Sequence, residues 1–187
     1  MITIVSGLPR SGTSLMMRML VAGGFPALTD EMRTADEDNP GGYFEWERIK
    51  QLPQQPELMK EAEGKVAKVV SQLLFSLPDS HDYQIIFMQR PLAEVLASQA
   101  EMMRRRKTSG PALPQAAMSA ALAAHLNQVR SWLGDKANLS LCYVEYHQLL
   151  FEPLRASQAV REFVKRPLDV AAMSRQVDQS LYRQRAT

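Results

Sequence analysis

Residues 7–14 read GLPRSGTS, a glycine-bearing turn set between the apolar run Ile2–Val5 and the helical run Leu15–Leu20. A strand-length apolar run, a tight turn and then a helical run commit this stretch to a strand–loop–helix unit, which constrains the fold more than any other feature of the chain. The backbone N–H groups of such a turn, with the helix N-terminus behind them, form a cradle for an anion. The usual nucleotide loop is G-x-x-x-x-G-K-[ST], in which the lysine reaches the β and γ phosphates. Gly7 and Gly12 keep that spacing and Ser14 keeps the final hydroxyl, but Thr13 stands where the lysine would be. The loop's cation is Arg10, three positions earlier. The charge expected for a magnesium triphosphate is missing, so the loop points to a donor other than ATP or GTP.

The rest of the chain alternates. Strand Ile2–Ser6 leads into a helix over Thr13–Ala22, which Gly23 and Gly24 end. Residues 26–44 are polar and turn-rich, with the breaker cluster Asn39-Pro40-Gly41-Gly42. A short helix is expected over Glu45–Leu52, a strand over Lys65–Val70 and another over Gln84–Met88. Leu92–Arg106 reads as a helix, with Leu92, Val95, Leu96, Gln99 and Met103 along one stripe. The polar stretch Lys107–Pro114 separates it from a long alanine-rich helix ending near Leu133; strand Leu139–Val144 and helix Pro153–Val164 follow. Strands alternating with helices predict an α/β three-layer sandwich, a parallel P-loop-type sheet covered by helices on both faces. Ligands of such sheets bind beyond the carboxyl ends of the strands, where Arg10 and Arg90 both fall.

Composition narrows the class. With 187 residues the expectation is one domain, 1–187, with a sizeable core. Twenty-two basic residues against 20 acidic give a net charge of +2, too balanced for a chain whose main partner is nucleic acid. No apolar run approaches the roughly 20 residues that cross a bilayer, and the strand beginning at Ile2 leaves no room for a signal peptide. The expectation is a cytoplasmic protein with no membrane partner. Cys142 is the only cysteine, which excludes an intrachain disulfide and a cysteine zinc cluster. Its neighbours Leu141, Tyr143 and Val144 suggest a buried strand thiol.

Pro9-Arg10-Ser11-Gly12-Thr13-Ser14, after a strand and before Leu15-Met16-Met17, resembles the 5′-phosphosulfate loop of sulfotransferases. That family typically carries Pro-Lys/Arg-Ser-Gly-Thr-Thr/Ser there and uses 3′-phosphoadenosine-5′-phosphosulfate (PAPS), leaving 3′,5′-bisphosphoadenosine (PAP). Its second signature is an arginine ending a strand and a serine eight residues later, both on the 3′-phosphate. Here Arg90 follows the apolar strand, Pro91 suits a first helical position, and Ser98 lies eight residues beyond Arg90. Taken alone, this pair would also fit a helix-start cation and a surface serine; the loop upstream gives it meaning. The resemblance implies that Arg10 and the N–H groups of Ser11–Ser14 hold the phosphosulfate, and that Arg90 and Ser98 hold the 3′-phosphate. It covers about the first half of the chain.

A shorter resemblance bears on catalysis. Tyrosylprotein sulfotransferases carry Glu-Glu-Thr-Arg downstream of the loop, and an ungapped count from Arg10 places that stretch on Asp30-Glu31-Met32-Arg33. Glu31 is thereby the candidate base and Arg33 its assistant, with Asp30, Asp36 and Glu45 as rivals. Lys68, on a strand one element before Arg90, is the candidate for the bridging oxygen, in competition with Lys65. Cytosolic sulfotransferases use a histidine base, but His81 falls at the wrong end of a strand and His125 in the alanine-rich helix, and His147 is left open. Arg104-Arg105-Arg106-Lys107 reads as a solvated helix end or a rim for a polyanionic donor. Arg183 and Arg185 are candidates to fold back on the 3′-phosphate, although the glycine-rich RKGxxG segment of cytosolic members is not present.

The resulting expectation is metal-independent transfer of a sulfuryl group from PAPS to a hydroxyl or amine acceptor, which is a small molecule, glycan or peptide. A neutral SO3 unit carries less charge than a phosphoryl group and requires no bridging metal. The alternatives are a non-catalytic nucleotide-binding or regulatory protein on the same fold, and a P-loop kinase with an altered loop, which Thr13 disfavours.

Overall fold

The computed structural model describes residues 1–30, 36, 41–105 and 114–182. Five strands, β1 (Ile2–Gly7), β2 (Ala27–Leu28), β3 (Val66–Lys68), β4 (Tyr83–Gln89) and β5 (Leu139–Glu145), form an all-parallel sheet in the order β2-β3-β1-β4-β5. Val5 lies opposite Lys68 on one side and Ile86 on the other, and Ile86 lies opposite Cys142. Helices α1 (Thr13–Ala22), α2 (Leu92–Arg105), α3 (Gln115–Asp135), α4 (Tyr146–Phe151), α5 (Pro153–Val164) and α6 (Val170–Ser174) complete the described elements, with shorter helical turns between strands.

Because side chains alternate across a strand, a sheet covered on both sides needs apolar residues at nearly every position of its central strands. β1 and the first six residues of β4 are buried throughout. Ile2, Ile4, Ala67, Tyr83, Ile85 and Phe87 face one core, closed by Leu52, Met59, Leu74, Val129 and Leu133. Val5, Val66, Ile86 and Met88 face the other, closed by Met16, Leu20, Leu149, Val160 and Met173. The expected three-layer α/β arrangement is the observed one. Two buried polar groups in the sheet satisfy each other: Thr3 Oγ1 donates to Gln84 Oε1 at 3.4 Å, and Gln84 Nε2 donates to the Phe163 carbonyl at 2.9 Å.

Several boundaries differ from expectation for local reasons. The strand expected over Lys65–Val70 pairs only over Val66–Lys68, since its outer neighbour β2 has two residues and the chain then enters the turn Ser71–Ser76, which sends Leu74 into the core. The helix expected over Glu45–Leu52 is a 3-10 turn, Glu47–Gln51, started by the Asp30 carboxylate on the Glu47 N–H and stopped before Pro53. The pair Ala27–Leu28 is too short to show a period in sequence. No described helix is long and apolar enough to cross a membrane.

The topology sets where a ligand can sit. From β1 the chain moves toward β2 with α1 on one face; from β4 it moves toward β5 through α2, and α3 lies on the opposite face. Right-handed crossovers that diverge in this way open a crevice between the carboxyl ends of β1 and β4.

Candidate functional site

The loop after β1 stands at that crevice. Gly12 precedes α1 with φ 102°, and a Cβ placed there would stand 2.6 Å from Cδ2 of Tyr146, so both backbone and packing demand glycine. Gly7 is equally constrained: an added Cβ would lie 2.5 Å from Ser11 Oγ and 2.8 Å from the Met88 carbonyl. Arg10 adopts φ 72°, a left-handed conformation that a non-glycine residue holds only when its surroundings enforce it. The Ser11 N–H closes the turn on the Leu8 carbonyl at 3.1 Å. No side chain caps the start of α1, and the buried Ser11 Oγ has no hydrogen-bond partner among the described residues. An uncapped helix start and an unpartnered buried hydroxyl fit an anionic group in the loop. Thr13 is buried at the first helical turn and Ser14 half-buried beside it, while Pro9 is exposed at the outer bend.

Arg10 and Arg90 meet here. The Arg10 Nε donates to Ser98 Oγ at 2.9 Å, and Arg90 Nη1 donates to the Arg10 carbonyl at 3.1 Å. Arg90 therefore braces the peptide that carries the strained φ of Arg10. Ser98, matched in sequence with Arg90, bonds instead to Arg10 of the loop and ties the loop to α2. Arg90 is itself held firmly: its Nε reaches Glu94 Oε2 at 2.9 Å, and its guanidinium carbon lies 4.4 Å from the Tyr146 ring centroid. The two side chains of this pair are 7% and 1% exposed.

Glu94 is the hub that the sequence stripe did not include. Its Oε1 accepts from the Tyr182 hydroxyl at 2.7 Å and stands 2.8 Å from His147 Nε2. A carboxylate on the buried side of α2 is tolerable because these polar groups surround it. Burial pushes the Tyr146 hydroxyl up, against the pull of Arg90, and keeps it a neutral phenol. The legible signals were the i, i+4 spacing of Arg90 and Glu94, and Tyr146-His147 placed immediately after a strand's carboxyl end.

On the other side of the loop, Lys68 Nζ donates to Ser14 Oγ at 3.0 Å and to the Tyr43 carbonyl at 2.8 Å, and lies 3.6 Å from Glu45 Oε1. Lys68 is thus at the loop, whereas Lys65 precedes β3 at the opposite end. Glu31 and Arg33 lie outside the described residues, as do Arg106, Lys107, Arg183 and Arg185. Of the rival carboxylates, Asp30 accepts from the Glu47 N–H and Asp36 from the Tyr43 hydroxyl at 2.6 Å. Glu45 is the one beside Lys68. Arg104 and Arg105 are both bonded to Glu101, whose carboxyl they hold down to about 2.

His125 Nε2 lies 2.9 Å from Ser71 Oγ, on the turn that follows β3, His81 pairs with Glu63 ahead of the amino end of β4, and His147 stands at the Arg90 hub. Cys142 is half-buried on β5, and burial pushes its thiol up. Among the described residues no group of three metal-ligating side chains comes together.

No protein-family profile matches the chain, and none of the curated proteins matches it significantly. Solved structures do. The sulfotransferase domain of the curacin biosynthetic pathway is similar with a TM-score of 0.54 and 15% identity, over 92% of this chain and 76% of its own. The sulfotransferase domain of the Synechococcus PCC 7002 olefin synthase gives 0.54 and 15%, over 91% and 75%. Sulfotransferase STF9 from Mycobacterium avium gives 0.57 and 15%, over 99% and 68%. What is shared is the fold. The chain has the P-loop-like α/β fold of sulfotransferase domains.

Proposed function

We propose that this protein is a PAPS-dependent sulfotransferase acting on a hydroxyl or amine acceptor. The observation that carries the reading is the junction of Arg10, Ser98 and Arg90, joined by contacts of 2.9 and 3.1 Å at the mouth of the crevice between β1 and β4. Two arginines anchored to one another through a phosphate-type loop suit a ligand with two separated anionic groups. A mononucleotide offers one phosphate ester, whereas PAPS carries both a 5′-phosphosulfate and a 3′-phosphate. The sulfotransferase fold of the solved relatives supports the same reading.

On this reading the loop N–H groups of Ser11–Ser14, with Arg10, hold the phosphosulfate, the Thr13 and Ser14 hydroxyls add hydrogen bonds, and Arg90 fixes the 3′-phosphate end with Ser98. When bound, the donor supplies a neutral SO3 unit on a phosphate leaving group. The Lys68 ammonium, held at Ser14, stabilises charge that grows at the bridging oxygen. A carboxylate takes the proton of the acceptor O–H or N–H: Glu31 by resemblance, or Glu45, which the fold places beside Lys68. Positioning and electrostatics supply most of the acceleration in such in-line transfers.

The test is ligand-dependent stability followed by turnover. PAP is expected to raise the unfolding midpoint more than AMP or Mg-ATP, with the increase lost in Arg10→Ala and Arg90→Ala. Sulfate from labelled PAPS is then expected to appear on members of a hydroxyl and amine acceptor panel. A preference for Mg-ATP overturns the donor assignment; PAP binding without transfer to any acceptor leaves a nucleotide-binding protein in place of an enzyme.

A further inference from the structure

The described chain ends in a segment that returns across the Arg90 side of the site. After α6, the Gln176 carbonyl accepts from Arg18 Nη2 of α1 at 2.8 Å, and Gln179 Nε2 donates to the Leu150 carbonyl of α4 at 2.9 Å. Asp178 caps the short turn Gln179–Leu181 through the Ser180 N–H, a bond that holds its carboxyl below the usual range. These three attachments deliver Tyr182 to the hub. Its hydroxyl meets Glu94 Oε1 at 2.7 Å and His147 Nε2 at 2.9 Å, and its ring packs edge-on against Tyr146, His147 and Phe151 with centroids 6.0, 5.5 and 6.4 Å away. The Arg90 guanidinium carbon stands 5.8 Å from the Tyr182 ring centroid and 4.4 Å from that of Tyr146, so the two rings flank one cation.

We propose that Tyr182 is a positioning residue for the phosphate-binding arginines: its hydroxyl orients Glu94, and Glu94 fixes the Arg90 guanidinium that braces the Arg10 peptide. The proposal rests on the sulfotransferase reading for the identity of the ligand. Its physical basis is a relay of four contacts. Tyr182 and His147 meet one oxygen of Glu94, Arg90 Nε takes the other, and Arg90 Nη1 holds the carbonyl of the strained residue 10. Without the phenol, the carboxylate loses one of the groups that define its rotamer. Arg90 then samples orientations from which it can neither hold the Arg10 carbonyl nor face the anion, and binding bears the cost of reordering it.

Tyr182→Phe keeps the ring contacts and removes only the hydroxyl; Glu94 retains His147 and Arg90, so the ligand-free protein is expected to fold with a modestly lowered midpoint. Its affinity for PAP is expected to fall by about ten-fold, the lower end of the scale of one lost hydrogen bond to a charged group. A merely structural contact would not produce coupling with Glu94. In a double-mutant cycle scored by PAP affinity, Glu94→Gln and Tyr182→Phe are expected to be strongly non-additive, the second change adding less than two-fold (about) once the first is made. Should Glu94→Gln fold poorly, His147→Gln with Tyr182→Phe supplies a second cycle on the same hub. Wild-type PAP affinity in Tyr182→Phe, or full additivity in the cycle, overturns the positioning role while Arg90→Ala still abolishes binding. Loss of PAP recognition as a whole would instead appear as wild-type protein indifferent to PAP, which removes the sulfotransferase reading and this proposal with it.

Discussion

At Gly12 the sequence has no freedom. The position combines φ 102° with a Tyr146 ring 2.6 Å from where a Cβ would stand, and Tyr146 in turn carries the Arg90 guanidinium at 4.4 Å. Gly12→Ala must therefore displace Tyr146 as well as strain the backbone. We expect a stability loss of about 1–3 kcal/mol, read by denaturant titration, together with loss of PAP-induced stabilisation. An alanine variant that binds PAP as wild type would show that Tyr146 does not support the loop. Lys68 makes a different argument, because its ammonium contacts a loop hydroxyl and a backbone carbonyl without being part of the loop. If Lys68 acts at the bridging oxygen as proposed, Lys68→Met, which keeps the aliphatic stem, should lower kcat by about 100-fold while PAP affinity changes little. An equal fall in affinity would make Lys68 a binding residue. Much of this site was legible one residue at a time: Gly7, Arg10, Gly12, Arg90 and Ser98 all stand at the crevice. The partnerships were not. Spacing gave no means of pairing Ser98 with Arg10, since the contact spans two elements brought together only by the sheet.

Elements with a full period announced themselves, and short ones did not. β1, β4, α1, α2 and α5 could be read because each is long enough for its apolar residues to repeat against a buried face. β2 has two residues, α4 six and α6 five, too few for a period, and what holds them is tertiary packing, by Leu28 for β2, Leu149 and Leu150 for α4, and Met173 for α6. α3 was legible as a helix, yet its one notable polar anchor was not: His125 Nε2 meets the Ser71 hydroxyl, which is fully buried on the turn after β3, and the ring also packs on Phe75. Burial lowers the pKa of His125 below its ordinary value. The unfolded chain then binds a proton first as pH drops, so stability rises with pH across the window below about 6.5 and is flat above it. Denaturant midpoints measured from pH 5 to pH 7.5 should fall toward the acid end in wild type. The fall should be smaller in His125→Gln, whose amide can still bond Ser71. Identical profiles for the two proteins would remove His125 as the source.

One sheet separates two cores, and the chain's two tryptophans allow their coupling to be tested. Trp46 belongs to the core faced by Ile4 and Ile85, and Trp132 packs against the same cluster. Leu20, fully buried on α1, belongs to the opposite core with Val5 and Ile86. Leu20→Ala leaves a cavity that no tryptophan touches directly and should cost about 2–5 kcal/mol. If the shared central strands make the molecule one cooperative unit, tryptophan fluorescence and far-ultraviolet circular dichroism must report the same lowered midpoint, although the damage lies on one side only. The strands supply the mechanical reason: Ile4 and Val5 are adjacent residues of β1 that point to opposite faces, so neither layer can loosen without disturbing the ladder the other needs. A fluorescence transition that stays at the wild-type midpoint while the dichroism transition moves would mean that the two faces unfold separately. The layer that carries α1 could then loosen over a standing sheet, and the alignment of Arg10, in the loop before α1, with Arg90 would depend on ligand to hold it.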